Sequence, residues 1–556
     1  PCVGRHDHFF DLGGHSLIAI TLVERLRRAG LHLEVSAVFE HPTLSAMAAA
    51  AGSSSSALAV PPVGIPAGAT QITPAMLPMV DLTQEQIDAI VAQVPAGAAQ
   101  VQDIYPLAPL QQGMLFHHLM QAQGDVYLTP MVASFGRQAD LQTFLRALGQ
   151  VIARHDILRT AVAWEGLAEP LQVVWREASL PLRWLPAADG DALAALQQAV
   201  DPRHHRIDLR QAPLLRAVAI EDAPGQRCLL ALVLHHLVLD HTSMDIVVQE
   251  VHAIAAGLGG SLPPSVPFRN LVWQARERVS AESHETFFRE MLSDVDTPTT
   301  PYGLVAVQGT ADGISEARQS LPQALALALR ERARAAGVSV ASLMHLAWGL
   351  VLARTSGQED VVFGTVLFGR MNAGPGADRA LGMLINTLPL RVSLGEQSVT
   401  DALGQTHQRL TQLMRHEQMS LPAAQACSGV AAPTPLFTAL FNHRGQAARE
   451  PGVPLPGMEL LWDEQHTGYP LAGSMDDDGE ILGLLVQSVA PADPAKVCRL
   501  METALHQLVA VLDAAPQTPC QHLELLDDQE RTQLLSFNPA PTPFPDQTLH
   551  ALVRQQ

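Results

Sequence analysis

The sequence predicts an α/β protein with more than one core, preceded by a small all-α unit. Three observations lead there. At 556 residues the chain exceeds what one ordinary hydrophobic core supports. Short apolar runs bounded by polar residues, the pattern of buried strands, alternate with helical patterns over most of its length. Ahead of them, residues 17–30 (LIAITLVERLRRAG) and 35–50 (VSAVFEHPTLSAMAAA) read as helical segments.

Composition narrows the class. Hydrophobic residues make up 47% and charged residues 16%, as in globular enzymes rather than disordered chains. A formal net charge of -20 argues against a general nucleic-acid binder, which needs a basic surface. Lys496 is the sole lysine, so nearly every cation is an arginine. The five cysteines are scattered and lack CxxC spacing; neither a disulfide framework nor a metal site is expected, and a reducing, cytoplasmic setting fits. No signal peptide and no apolar run of transmembrane length is present, so no membrane partner is expected. The start at Pro1, without Met, points to a piece of a longer polypeptide.

The elements follow in order. Residues 11–16 (DLGGHS) form a Gly-rich loop, Ser16 opens a helix, and Gly30 stands where a C-cap belongs. Taken alone, Ser16 is an N-cap; a hydroxyl there also suits an attached phosphodiester, because the helix dipole favours negative charge. Residues 51–69, rich in Ser, Pro and Gly, read as a flexible linker. Residues 83–94 read as a short docking helix with Thr83 and Gln86 as a capping box. In 105–125 (YPLAPLQQGMLFHHLMQAQGD) Pro109 can start a helix and Gly124 can close it. Helical spacing places Leu110, Met114 and His117 on one face, with Leu115 and His118 displaced around it. Residues 228–234 (CLLALVL) read as a buried strand running into His235 and His236, whose side chains alternate to opposite faces. One of the two faces a channel as a neutral imidazole able to move a proton. Asp240 is placed to neutralise an arginine, Arg154 or Arg159, and hold the turn. Later, 342–354 read as a buried helix and 360–369 as a buried strand. Asn386 and Thr387 are either turn residues or channel lining, and the acidic run Asp476–Asp478 is solvated surface.

These stretches together resemble a nonribosomal peptide synthetase fragment. DHFFDLGGHSL (7–17) resembles the signature of peptidyl carrier domains, and HHLVLD (235–240) the HHxxxD core motif of condensation domains. YPLAPLQQGMLFH (105–117), RHDILRT (154–160), FRNLVW (268–273), LGMLINTLPLRV (381–392), TPLFTALFNHR (434–444) and TGYPLAGSMDDDG (467–479) are similar to further motifs of the latter family. HHLMQAQGD (117–125) is similar to the pattern HH[I/L]xxxxGD of the dual epimerisation/condensation subgroup. Where the family continues HHxxxD with Gly, this chain has His241.

The resemblance implies a carrier domain lacking its first helix (1–50), a linker with a short docking helix (51–100), two lobes of a chloramphenicol-acetyltransferase-like α/β fold (101–275 and 276–515) and a linker into an adenylation domain (516–556). It implies 4'-phosphopantetheine on Ser16, His236 as the catalytic histidine beside His235, and Asp240 as structural. His117 or His118 would be the second proton-transfer group or a shaper of the donor channel. The implied reaction epimerises the donor thioester and condenses it with the downstream aminoacyl thioester. Implied partners are the carrier and adenylation domains on either side, a phosphopantetheinyl transferase and the carrier-bound thioesters. Plain condensation is the chief alternative, and a silent binding module that only recruits partners is the rival from another class. An epimerase domain would lack the 105–117 opening, and a heterocyclisation domain would have aspartates at 235 and 236. A metal hydrolase is disfavoured by strand alternation of the two histidines and by the lack of HExxH spacing.

Overall fold

The computed structural model describes the chain except residues 1–2, 10–11, 13, 15–17, 20–21, 24, 27–28, 32, 53–58, 122, 187–190, 306–312, 371–375, 446–457, 464–467, 539–545, 547 and 556. Three sheets organise the described residues. β1 (Val101–Pro106), β3 (Thr160–Ala163) and β4 (Leu171–Trp175) pair antiparallel in the order β1-β4-β3. A five-stranded sheet has the order β12-β2-β7-β6-β5. It comprises β2 (Leu128–Phe135), β5 (Leu182–Trp184), β6 (Leu215–Asp222), β7 (Arg227–His235) and, from far along the chain, β12 (Met458–Asp463). The third sheet has the order β10-β9-β11-β13-β14-β8. Its strands are β8 (Ile314–Ser320), β9 (Asp360–Leu367), β10 (Asn386–Ser393), β11 (Ala439–Gly445), β13 (Leu471–Asp477) and β14 (Leu482–Val489).

The expected strand at 228–234 is β7. Every residue from Cys228 to His235 is buried, which requires cover on both faces of the sheet. Helix Ala192–Val200 packs on β6 and β7, and helix Gln138–Arg154 packs on β2 and β7. In the second lobe, helix Val340–Ser356 is buried from Ser342 to Ala353, with Trp348 fully enclosed among strands of the six-stranded sheet. Its apolar residues ring the helix, as a core helix requires. The fold class is the two-lobed α/β arrangement that the resemblance implied. The lobes are interleaved, because Ala377, Ala380, Leu381, Met383 and Leu384 join the core of the first lobe, as β12 joins its sheet.

The stretch before residue 101 differs from a flexible reach. Ile65, Ile72, Leu77, Leu82, Ile87, Ile90 and Val94 bury themselves against Val101, Ala161 and Val173 in a core of their own. The capping box forms at the expected pair: Thr83 Oγ1 accepts from Gln86 N–H at 3.3 Å, and Gln86 Oε1 accepts from Thr83 N–H at 3.0 Å.

The N-terminal unit is small and helical where described. Gly30 has φ +80° and Leu31 N–H returns to Leu26 O at 2.9 Å, the C-cap geometry expected of it. Helices Val35–Glu40 and Leu44–Ala50 follow. The first lies against helix Val399–Arg415 of the second lobe. Two ion pairs flank that contact, Glu34–Arg278 at 3.1 Å and Glu40–Arg415 at 2.7 Å. Ser16 lies outside the described residues.

Among the described residues no single helix is long and apolar enough to cross a membrane. Cys228, Cys427, Cys498 and Cys520 are free and buried.

Candidate active site

β7 carries His235 at its last position, and the chain then turns, so His235 and His236 part as strand alternation requires. His235 is fully buried while His236 keeps partial exposure. His236 Nδ1 lies 3.0 Å from the Leu239 carbonyl. A carbonyl only accepts, so Nδ1 carries the proton and Nε2 keeps its lone pair. Burial pushes the His236 pKa below the usual histidine value, against the pull of the Leu239 carbonyl. At neutral pH the ring is therefore a neutral base aimed through Nε2.

His235 is held the other way round. Leu237 N–H donates to its Nδ1 at 3.1 Å, so Nε2 is the protonated nitrogen, and it reaches Asp125 Oδ2 at 3.1 Å. The same oxygen lies 2.6 Å from His118 Nδ1, and Asp125 Oδ1 accepts from Tyr127 N–H at 3.0 Å. Burial would raise the Asp125 pKa, but the hydrogen bonds from His118 and His235 outweigh it and hold the carboxyl well below the usual range. Asp125 is thus a carboxylate clamped between two histidines. His118, Asp125 and His235 are also mutually close enough to ligate a metal. Asp125 Oδ2 is already committed to both rings, which fits a hydrogen-bonded brace better than a coordination sphere.

The opening helix places these groups. It runs Pro109–Met120 with Pro109 at its first position. The buried face is Gln111, Met114, Leu115 and His118, one step round from the Leu110–Met114–His117 face expected. His118 is therefore the enclosed histidine, and His117 is exposed, with Nδ1 2.6 Å from the Tyr127 hydroxyl. The helix ends at Met120, short of Gly124. Gly124 instead makes the turn into Asp125. Its φ is +67°, and a Cβ there would sit 2.5 Å from the Arg203 carbonyl oxygen.

Asp240 caps helix His241–Ala255 by accepting from Ser243 N–H at 2.7 Å. Its ion partner is neither Arg154 nor Arg159. Arg370 Nη2 meets Asp240 Oδ1 at 2.8 Å and Oδ2 at 2.7 Å, with both side chains fully enclosed. The same nitrogen donates to Ser243 Oγ at 2.9 Å. Arg154 pairs with Glu250 at 3.1 Å, and Arg159 Nη1 donates to Gln102 Oε1 and the Arg176 carbonyl, each at 2.9 Å. His241, in place of the family Gly, is the exposed first residue of its helix and needs no left-handed backbone. Asn386 is buried and braces β10, donating to the Glu417 and Met419 carbonyls at 2.8 and 2.7 Å. Asp477 is not free acidic surface, since Arg330 bonds it at 2.7 Å.

Three participants were absent from the expected site. Arg370 lies three residues past the end of the buried strand β9 and is itself fully buried, an unusual place for a cation. Asp125 is the last residue of the HHLMQAQGD element, and Tyr127 follows two residues after it. A cavity of about 270 Å³, lined by Leu128, Val200, Arg206, Arg216 and Val233 among others, opens on the His235 side of the sheet rather than beside His236.

The profile of the condensation domain matches residues 101–535. The chain belongs to the condensation domain family. The profile of the phosphopantetheine attachment site matches residues 3–51, so a carrier attachment domain precedes the condensation domain. Malpinin synthetase of Mortierella alpina is 45% identical over 100% of this chain and 7% of its own length. Malpibaldin synthetase of the same organism is 44% identical over 100% of this chain and 10% of its own length. The chain thus spans a tenth or less of either relative. The condensation domain of the monacolin K polyketide synthase MokA superposes with TM-score 0.59 and 20% identity, covering 77% of this chain and all of that one. A four-domain nonribosomal peptide synthetase bound to AMP and glycine gives TM-score 0.65 at 16% identity, covering 82% of this chain and 36% of that one. Both share the fold of this condensation domain.

Proposed function

We propose that this condensation domain takes part in nonribosomal peptide synthesis, inverting the Cα of the donor thioester and then joining it to the α-amine of a downstream aminoacyl thioester. The observation that carries the reading is the convergence of the two paired-histidine elements: His118 and Asp125 of the first close around His235 of the second. What supports the dual reading is the HHLMQAQGD resemblance together with this brace, which fixes the strand end beside His236.

In the condensation step the acceptor amine attacks the donor carbonyl carbon. The C–N bond forms, the C–S bond breaks, and the amine proton passes to His236 Nε2, which returns it to the departing sulfur. Held substrates make positioning a large part of the rate. In the inversion step His236 Nε2 removes the Cα proton while charge moves onto the thioester carbonyl. His235, with Asp125 and His118, keeps the turn rigid, and Asp240 with Arg370 holds the two lobes in register below it. Ser16 is the residue assigned to the 4'-phosphopantetheine, whose terminal thiol would carry the donor. A phosphopantetheinyl transferase and the adenylation domains of the same assembly line complete the partner set, in the cytoplasm.

The test is to load the carrier with an L-configured donor, supply an acceptor thioester and run the reaction in deuterated water. A product with a D-configured donor residue and one deuterium at its Cα supports the reading. An L-configured product without deuterium reduces the activity to plain condensation, and no product at all leaves a binding module.

A further inference from the structure

The inversion step has one visible base, His236, and needs a proton delivered from another side of Cα. His118 is enclosed and committed to Asp125, so it does not reach substrate. The opening helix offers its second histidine differently.

β2 and β7 pair antiparallel with Leu128 opposite His235. The His236 N–H then donates to the Tyr127 carbonyl at 2.9 Å. The ladder therefore continues one step, and Tyr127 stands opposite His236. Directly opposed residues of an antiparallel pair project to the same face, with Cβ atoms about 5 Å apart. The Tyr127 ring lies 6.3 Å from that of His235, so it belongs to the histidine cluster rather than to the periphery. Its hydroxyl is 2.6 Å from His117 Nδ1, and the two rings lie near parallel, 7° apart. Tyr127 is thus a phenol near the His235 ring, joined through its backbone to His236 and hydrogen-bonded at its hydroxyl to His117.

We propose that Tyr127, recharged through His117, is the second proton-transfer group of the inversion, giving its hydroxyl proton to the donor Cα while His236 serves the other side. This rests on the dual reading above. The step balances without an oxidant or reductant. His236 takes the Cα proton, and the electron pair left behind resides on the thioester carbonyl. The pair returns to Cα to form a new C–H bond with the Tyr127 hydroxyl proton. His117 passes its Nδ1 proton to the phenolate oxygen and collects another at Nε2 from water, while His236 releases its proton to water. Burial, Tyr469 and Asp125 all raise the Tyr127 pKa, and that of His117, exposed at the surface but with its ring stacked on Tyr127, is lowered by partial desolvation. The phenol stays protonated and the imidazole neutral at pH 7, the states this relay requires.

The experiment holds the carrier-loaded L-donor in deuterated water without acceptor, then measures Cα deuterium and configuration separately. The wild-type protein should yield D-donor carrying deuterium. Absence of both in the wild type overturns the dual reading itself. Tyr127→Phe should still introduce deuterium through His236 but leave the donor L, with inversion slowed about 100-fold or more, the usual scale of a lost acid–base group. Product formed from a supplied D-donor checks that the variant is folded. His117→Ala, which keeps the phenol, should slow inversion about tenfold and make it respond to added imidazole. Inversion by Tyr127→Phe at the wild-type rate overturns the assignment of Tyr127. If that variant does not fold, wild-type inversion by His117→Ala overturns the relay.

Discussion

Arg370 and Asp240 form an ion pair 2.7 Å apart with neither side chain exposed, across 130 residues of chain. Removing one partner of such a pair leaves an uncompensated buried charge, which costs about 3–5 kcal/mol. Asp240→Ala and Arg370→Ala should each lower the urea midpoint accordingly, the former also losing a helix cap. The double variant should recover part of the loss. Equal and additive losses in a double-mutant cycle would contradict the pairing.

His236→Ala should abolish dipeptide formation with little change in melting temperature, because the ring makes one backbone hydrogen bond and is only half-buried. Retained turnover would remove His236 from the mechanism.

The pH–rate profile reads the same residue. Its pKa is lowered by burial, so the base form persists below the ordinary histidine range. The rate should be flat through neutrality and fall only on the acid side of about pH 6.5. A rate already falling between pH 8 and 7 would contradict a depressed pKa.

Acid should unfold this protein early. Burial pushes His345 down to about 3 and His416 down to about 4. Unfolded histidines take up protons below about pH 6.5, whereas these do not until their folded values are reached. Stability is therefore lost as pH falls from about 6.5, at about 1.4 kcal/mol per pH unit for each withheld proton. Asp103, raised by burial to about 6, and Asp156, also raised by burial, work the other way, but they are two groups against several buried histidines and the lowered Asp125, Glu250 and Asp477. Urea midpoints at pH 7, 6 and 5 should fall in that order, and His345→Gln should flatten the fall.

The Arg415–Glu40 contact is partly exposed, with side-chain accessibilities of 48% and 32%, so it is worth about 0.2–1 kcal/mol. Arg415→Glu should slow transfer from the attached carrier a few-fold at low salt, with little effect at high salt. Adding Glu40→Arg should restore it.

Local chemistry was legible in the sequence. The Thr83 capping box, the Pro109 helix start, the Gly30 cap and the β7 strand all depend on residues within a few positions, and each is present in the fold. The parting of His235 and His236 followed from strand period alone. Arg370 was not legible, because pairing across 130 residues leaves no periodic trace and Arg154 and Arg159 lay nearer in sequence. The buried histidine of the opening helix escaped periodicity for a different reason. Met114, Leu115, Phe116, Leu119 and Met120 ring that helix, so apolar spacing does not single out one face. The choice between His117 and His118 is made by Asp125 and Tyr127, which stand in the turn between the opening helix and β2.

β12 gives the fold a genetic consequence. Its residues, 458–463, form the outer strand of a sheet whose other members end at His235. A recombination event cutting near residue 275 would separate β2 from its neighbour, exposing a strand edge that invites aggregation, or would seat a foreign strand against Met131–Phe135. Exchange between assembly lines should therefore preserve the two halves as one inherited block, and chimaeras joined at the lobe boundary should express poorly beside those joined outside it.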